Sequence, residues 1–62
     1  MIQTKKILNG VYEDVYSGRY IEFLNGKWHV LSVLGEVYYT SKTLKDCKIW
    51  QCKENQILSY NK

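Results

Sequence analysis

Short runs of bulky residues alternating with polar ones, separated by glycine-containing dipeptides, set the rhythm of this chain. The dipeptides are Asn9-Gly10, Ser17-Gly18, Asn25-Gly26 and Leu34-Gly35, at intervals of 8, 8 and 9 residues. Asn-Gly supplies the two positive-φ positions that a type I′ hairpin turn requires, whereas the Ser-Gly and Leu-Gly pairs supply a glycine alone. The spacing leaves segments of ordinary strand length and predicts strands near 2–8, 11–16, 19–24, 27–33 and 36–41. Two of the hairpins repeat a pattern: Ile7-Leu8-Asn9-Gly10-Val11-Tyr12 is similar to Phe23-Leu24-Asn25-Gly26-Lys27-Trp28. In each, a bulky pair (Ile7 with Tyr12, Phe23 with Trp28) is expected to face across the turn, a stabilising arrangement.

After the fifth segment the period changes. Thr43 is placed to cap a helix N-terminus, and Asp46 stands three residues on, close to a capping box. A helix over residues 44–54 follows. At 100° per residue Leu44, Cys47, Trp50 and Gln51 share one face, with Ile49 and Cys52 on the far side. Asn55 is a stop signal, and Gln56-Ile57-Leu58-Ser59-Tyr60 is expected as a last short strand or as a tail over Ile49 and Cys52. The expected fold is α+β and mostly β: a five-stranded antiparallel meander with one C-terminal amphipathic helix, forming a single domain over residues 1–62.

If every turn holds two residues, residue 7 opposes 12, 12 opposes 23, 23 opposes 28 and 30 opposes 39. One face then collects Ile7, Tyr12, Tyr16, Ile21, Phe23, Trp28, Val30, Val37 and Tyr39, the natural core face beneath the helix. The other collects Leu8, Val11, Val15, Tyr20, Leu24, Leu31, Val33 and Tyr38, crossed by a polar row of Lys6, Glu13, Glu22, His29 and Thr40. One helix cannot cover both sides of a sheet. Three outcomes follow: the sheet curls into a small SH3-like or OB-like barrel, the chain dimerises, or the surplus face binds a partner.

Composition narrows the functional classes. Sixty-two residues hold one core of marginal size, but nine aromatic residues and a 45% hydrophobic fraction are too rich for a disordered segment. Nine Lys+Arg against six Asp+Glu give +3, a mild excess without a charge run, which permits nucleic acid as a partner without requiring it. The first residues lack the apolar stretch of a signal peptide, and no run is long enough to span a bilayer; the expectation is a cytoplasmic protein. Cys47 and Cys52, five apart on the expected helix, point away from each other beyond disulfide reach and read as free thiols. Two cysteines and the single His29 are too few ligands for a metal site, and no cofactor signature occurs.

Glu13, Glu22 and His29 in the polar row could in principle do acid–base work. No nucleophile motif or phosphate loop accompanies them, and so short a chain offers little concavity, so no enzymatic activity and no small-molecule substrate are expected. The surplus of apolar and tyrosine surface fits protein binding instead, with Tyr20, Leu24, Leu31, Val33 and Tyr38 as contacts and Glu22, Lys27 and His29 as the polar rim. The alternative is a small nucleic-acid-binding regulator. In that reading Tyr20 and Tyr38 stack on bases and Lys6, Lys27 and His29 meet phosphate, while Lys42, Lys45, Lys48 and Lys53 form a second basic group on the helix.

The outline from Gly18-Arg19-Tyr20 through the Asn25-Gly26-Lys27-Trp28 hairpin, Gly35-Glu36-Val37-Tyr38-Tyr39 and Thr43-Leu44-Lys45-Asp46-Cys47-Lys48-Ile49-Trp50 resembles small phage and prophage proteins. Its three strands plus helix are similar to the arm-type DNA-binding domains of phage integrases, although Arg19 and Lys27 stand nearly alone where those arms carry abundant basic residues. A chain of this size, rich in Lys, Asn, Ile and Tyr, also resembles phage and mobile-element accessory proteins of the anti-CRISPR style. That resemblance implies a host inhibitor or regulator that occludes a host protein, or associates with itself, through the exposed sheet face.

Overall fold

A computed structural model describes residues 4–60. Five strands, β1 (Thr4–Leu8), β2 (Val11–Asp14), β3 (Tyr20–Leu24), β4 (Lys27–Leu31) and β5 (Val37–Ser41), precede one helix, α1 (Leu44–Tyr60). The strands pair antiparallel in the order in which they occur, as a meander. The sheet is open: β1 and β5 are its two edges, and it does not close into a barrel. The expected first and last positions of the chain, 2–3 and 61–62, lie outside the described residues.

The third turn forms as its sequence dictates. Asn25 (φ 52°) and Gly26 (φ 77°) both adopt the left-handed conformation of a type I′ turn, and β3 and β4 pair without interruption from Leu24 opposite Lys27 to Tyr20 opposite Leu31. The first turn departs from it. Asn9 is not among the positive-φ residues, Gly10 alone takes φ 78°, and the register shifts between Lys6 and Leu8. Lys6 therefore faces Tyr12, and Ile7 becomes the extra residue of a bulge. The expected Ile7–Tyr12 pair is not formed.

The second connection is not a two-residue turn. Asp14 N–H donates to the Arg19 carbonyl (2.8 Å) and Gly18 N–H to the Asp14 carbonyl (2.8 Å), closing a longer loop. Tyr12 consequently faces Ile21 and not Phe23. The fourth connection also lengthens, because the Ser32 hydroxyl accepts the Leu34 N–H (3.1 Å) and the Glu36 N–H (3.0 Å) and holds residues 32–36 as a loop. Val30 still faces Tyr39, but Leu31 faces Val37, which leaves Tyr38 as the bulged residue of β5.

Ile21 and Val30, direct cross-strand partners, form the centre of the core with Cys47 of α1; all three are fully buried. Tyr12, Trp28, Tyr39, Leu44 and Trp50 pack around them. Tyr39 and Trp50 stack with centroids 5.1 Å apart and planes 6° from parallel, joining the helix to β5. Ile7, Tyr16, Phe23 and Val37, expected in this core, are about half exposed: Ile7 is the bulged residue of β1, Tyr16 lies in the longer loop, Val37 pairs with Leu31 on the face away from the helix, and Phe23 keeps its place opposite Trp28 near the end of the hairpin.

Thr43 caps α1, its hydroxyl accepting the Asp46 N–H (3.2 Å), while the Asp46 carboxylate accepts the Ser41 hydroxyl (3.0 Å). The helix does not stop at Asn55. It runs to Tyr60, and the expected last strand or tail is its final turns. Asn55 is retained because its side chain is already used: it accepts from Gln51 (2.8 Å) one turn back and donates to Asp14 (3.0 Å). No helix among the described residues is long and apolar enough to cross a membrane.

Candidate functional site

The uninterrupted β3–β4 hairpin fixes the candidate site. Ile21 with Val30 and Phe23 with Trp28 face α1, so the intervening pairs, Tyr20 with Leu31, Glu22 with His29 and Leu24 with Lys27, face the opposite way. Three consecutive cross-strand pairs thus bring six of the expected binding residues onto one outer surface. Leu8 and Val11, themselves paired, extend it toward one edge, and Val37, opposite Leu31, toward the other. Leu8, Leu24 and Val37 are 65%, 45% and 57% exposed.

Val33 and Tyr38 lie elsewhere. Val33 belongs to the loop held by Ser32, where it and Leu34 project into solvent at the end of β4. Tyr38, displaced by the bulge, carries the Arg19 guanidinium 4.1 Å from its ring centroid. Arg19 also donates to Gln51 (3.1 Å) and Glu54 (3.2 Å) of the helix, so Tyr38 joins the loop and the helix and not the Tyr20 surface.

The polar row is also rearranged. Because the β2–β3 loop is longer than two residues, Val11 stands opposite Glu22, and Glu13 opposite Tyr20 and Lys5; Lys6 lies on the helix side with Tyr12. Glu13 and Glu22 are diagonal on the outer face and not directly opposite, so the expected cross-strand carboxylate pair is not formed. His29 lies between Glu22 and Thr40 in register, with Nδ1 2.9 Å from the Thr40 hydroxyl and Nε2 3.2 Å from the Leu24 carbonyl oxygen. A carbonyl only accepts, so Nε2 carries a proton, and both ring nitrogens are occupied. The ring braces β5 and the end of β3 to β4.

On this surface Lys5 and Lys27 balance Glu13 and Glu22. The patch is thus charge-balanced, with Glu22 and His29 between its two apolar-containing pairs, and offers a phosphate backbone no net attraction.

One constellation was not anticipated. Asp14 and Gln51 are fully buried polar side chains. Asp14 Oδ2 accepts the Ser17 hydroxyl (2.6 Å), the Ser17 N–H (3.3 Å) and the Asn55 amide (3.0 Å). Gln51 donates to Asn55 and Ser17 and accepts from Arg19. Asp14 Oδ1 is buried without a hydrogen-bond partner. The spacing of Gln51 and Asn55, four apart on the core side of a helix, together with Asp14 three before Ser17 and its glycine, are the signals in the sequence that point to it. Its effect is to tie the β2–β3 loop to the second half of α1.

Cys47 is buried and Cys52 half-buried, both as free thiols. Burial pushes the Cys47 thiol above its ordinary pKa, the Asp46 carboxylate adds to the rise, and a backbone hydrogen bond at Ser41 opposes it. Among the described residues no group of three or more His, Cys, Asp or Glu side chains is arranged to hold a metal ion. No protein-family model matches the sequence, and comparison with curated proteins and with solved structures gives no match.

Proposed function

We propose that this chain is a non-enzymatic protein-binding module that acts through the outer face of its sheet, and that the partner this face suits best is a second copy of the chain. The observation that carries the reading is the triplet of outward pairs on the β3–β4 hairpin, Tyr20–Leu31, Glu22–His29 and Leu24–Lys27. It stands on the most regular part of the fold, so its backbone needs no reordering on binding. Apolar groups lie beside one carboxylate and one ammonium on the same face. In a two-fold contact each copy's Glu22 can meet the other's Lys27, which is the self-complementarity an isologous interface needs. A stable contact covers about 800 Å² per partner, against 4489 Å² for the whole chain.

Sedimentation velocity over a concentration series tests the reading. The chain is expected to sediment as a dimer at high concentration, and the double variant Leu24→Glu, Leu31→Glu as a folded monomer. A wild-type chain that stays monomeric throughout, or a double variant that still dimerises, contradicts it.

A further inference from the structure

The helix leaves part of its own side of the sheet bare. α1 packs over β5, β4 and β3, while its backbone stays clear of β1 and β2. Its side chains reach β2 where Asn55 bonds Asp14 and where the Lys48 ammonium lies 5.2 Å from the Tyr12 ring centroid. Beside that ring an aromatic row runs across the sheet. Tyr12 and Trp28 have centroids 6.0 Å apart, and Trp28 and Phe23 5.2 Å apart. Phe23, at the open end of the row, is 47% exposed.

Cations flank the row and carboxylates avoid it. Lys6 shares the face of Tyr12 because the two are cross-strand partners. Lys45 stands one turn before Lys48 on α1, next to it on the helix surface. Each of the chain's six acidic residues is accounted for elsewhere. Glu13 and Glu22 are on the outer face, and Glu36 is in the β4–β5 loop. Asp14 is buried, Asp46 is bonded to Ser41, and Glu54 is paired with Arg19. The two sides of the sheet therefore differ in kind: the outer side is charge-balanced, and the helix side has Lys6 and Lys48 beside the exposed ring of Phe23 and its neighbours.

We propose that this platform, floored by Tyr12, Trp28 and Phe23 and flanked by Lys6, Lys45 and Lys48, binds single-stranded nucleic acid. Unpaired bases offer π-faces that stack on an aromatic ring without sequence preference, and their phosphates meet the flanking ammonium groups. A duplex hides its base faces and would use the lysines alone. An acidic peptide would likewise use the charges and gain nothing from Phe23. The site is separate from the outer face and does not depend on self-association there.

Fluorescence anisotropy with a labelled oligothymidylate of about 12 nucleotides, close to the span of one small β-module, provides the test. Binding is expected near 20 mM salt, and three phosphate contacts predict that affinity falls about 100-fold for each tenfold rise in salt. Phe23→Ala should weaken binding about tenfold and Phe23→Tyr should retain it. The double variant Lys6→Gln, Lys45→Gln, confined to exposed side chains, should flatten the salt dependence, while Lys27→Gln on the outer face and the Leu24→Glu, Leu31→Glu variant should bind as wild type. The proposal is overturned by no binding at low salt, by equal affinity for a duplex of the same length, by equal competition from polyglutamate, or by an equal loss in Lys27→Gln.

Discussion

Asn55 of α1 donates its amide to the carboxylate of Asp14, 41 residues earlier in the chain, at 3.0 Å. Asp14 is fully buried and draws its other side-chain hydrogen bonds from Ser17, so the Asn55 contact ties the start of the β2–β3 loop to the second half of the helix, beside the bonds that Arg19 makes to Gln51 and Glu54. Asn55→Ala removes a donor from a buried carboxylate and an acceptor from Gln51, and should cost about 1–3 kcal/mol. Asn55→Asp sets two carboxylates against each other and should cost more. Urea denaturation of both variants checks the order, and hydrogen exchange should show the second half of α1 opening before the first.

Ile21 and Val30 are cross-strand partners at the centre of a core with few fully buried apolar residues. Ile21→Val should cost about 1 kcal/mol and Ile21→Ala about 3 kcal/mol. A single small core rarely supplies more than about 3–5 kcal/mol in all, so the alanine variant should be largely unfolded at room temperature. Circular dichroism distinguishes the two, whereas Val33→Ala, in a solvent-exposed loop position, should change stability little.

The two cysteines should separate chemically. In the native chain Cys52 should react with an aromatic disulfide reagent well before Cys47, which becomes reactive only as the chain unfolds. Because the folded-state pKa of Cys47 is raised, the folded chain keeps this thiol protonated at a pH where the unfolded chain has released its proton. Its contribution to stability is thus complete below the ordinary thiol pKa of about 8.5 and declines as pH rises above it. Thermal melts between about pH 7.5 and 9.5 should show a steeper decline for the wild type than for Cys47→Ala, although the alanine variant starts from a lower stability.

At the central turn Gly26 sits at φ 77° with open space where a side chain would go, so the cost of replacing it is conformational and not steric. Gly26→Ala should destabilise by about 1 kcal/mol, consistent with the left-handed region's cost for an L-residue. Asn25→Gly should be nearly neutral, since glycine adopts the φ of 52° found there without difficulty. Chemical denaturation of the two variants checks the contrast.

The strand count, the pairing order, the helix and its Thr43 cap were legible because turn dipeptides and capping residues act over a few positions. Register was legible only where the turn was the one its sequence prefers. At Asn25-Gly26 it held, and the β3–β4 part of the candidate face followed from it. At Ser17-Gly18 the side chain of Asp14 captured Ser17 and lengthened the loop, which moved Tyr12 from Phe23 to Ile21 and separated Glu13 from Glu22. Tyr38 left the expected face through the bulge in β5 and there meets Arg19, itself bound to α1, a contact between three segments that no local pattern records. Asn55 reads as a stop signal in isolation; its bonds to Gln51 and Asp14 keep it within the helix. The bare aromatic platform was invisible for the same kind of reason, since it depends on which strands the helix happens to cover.

The outer face of the β3–β4 hairpin as a self-association surface is tested most directly by recording amide chemical shifts as the protein is diluted. Shifts that move with concentration and cluster on Tyr20, Glu22, Leu24, Lys27, His29 and Leu31, and that are absent from the Leu24→Glu, Leu31→Glu variant, are the predicted result. A spectrum that does not change with concentration, or one whose changes map to the Tyr12–Trp28–Phe23 platform or to the edge strand β5 instead, contradicts it.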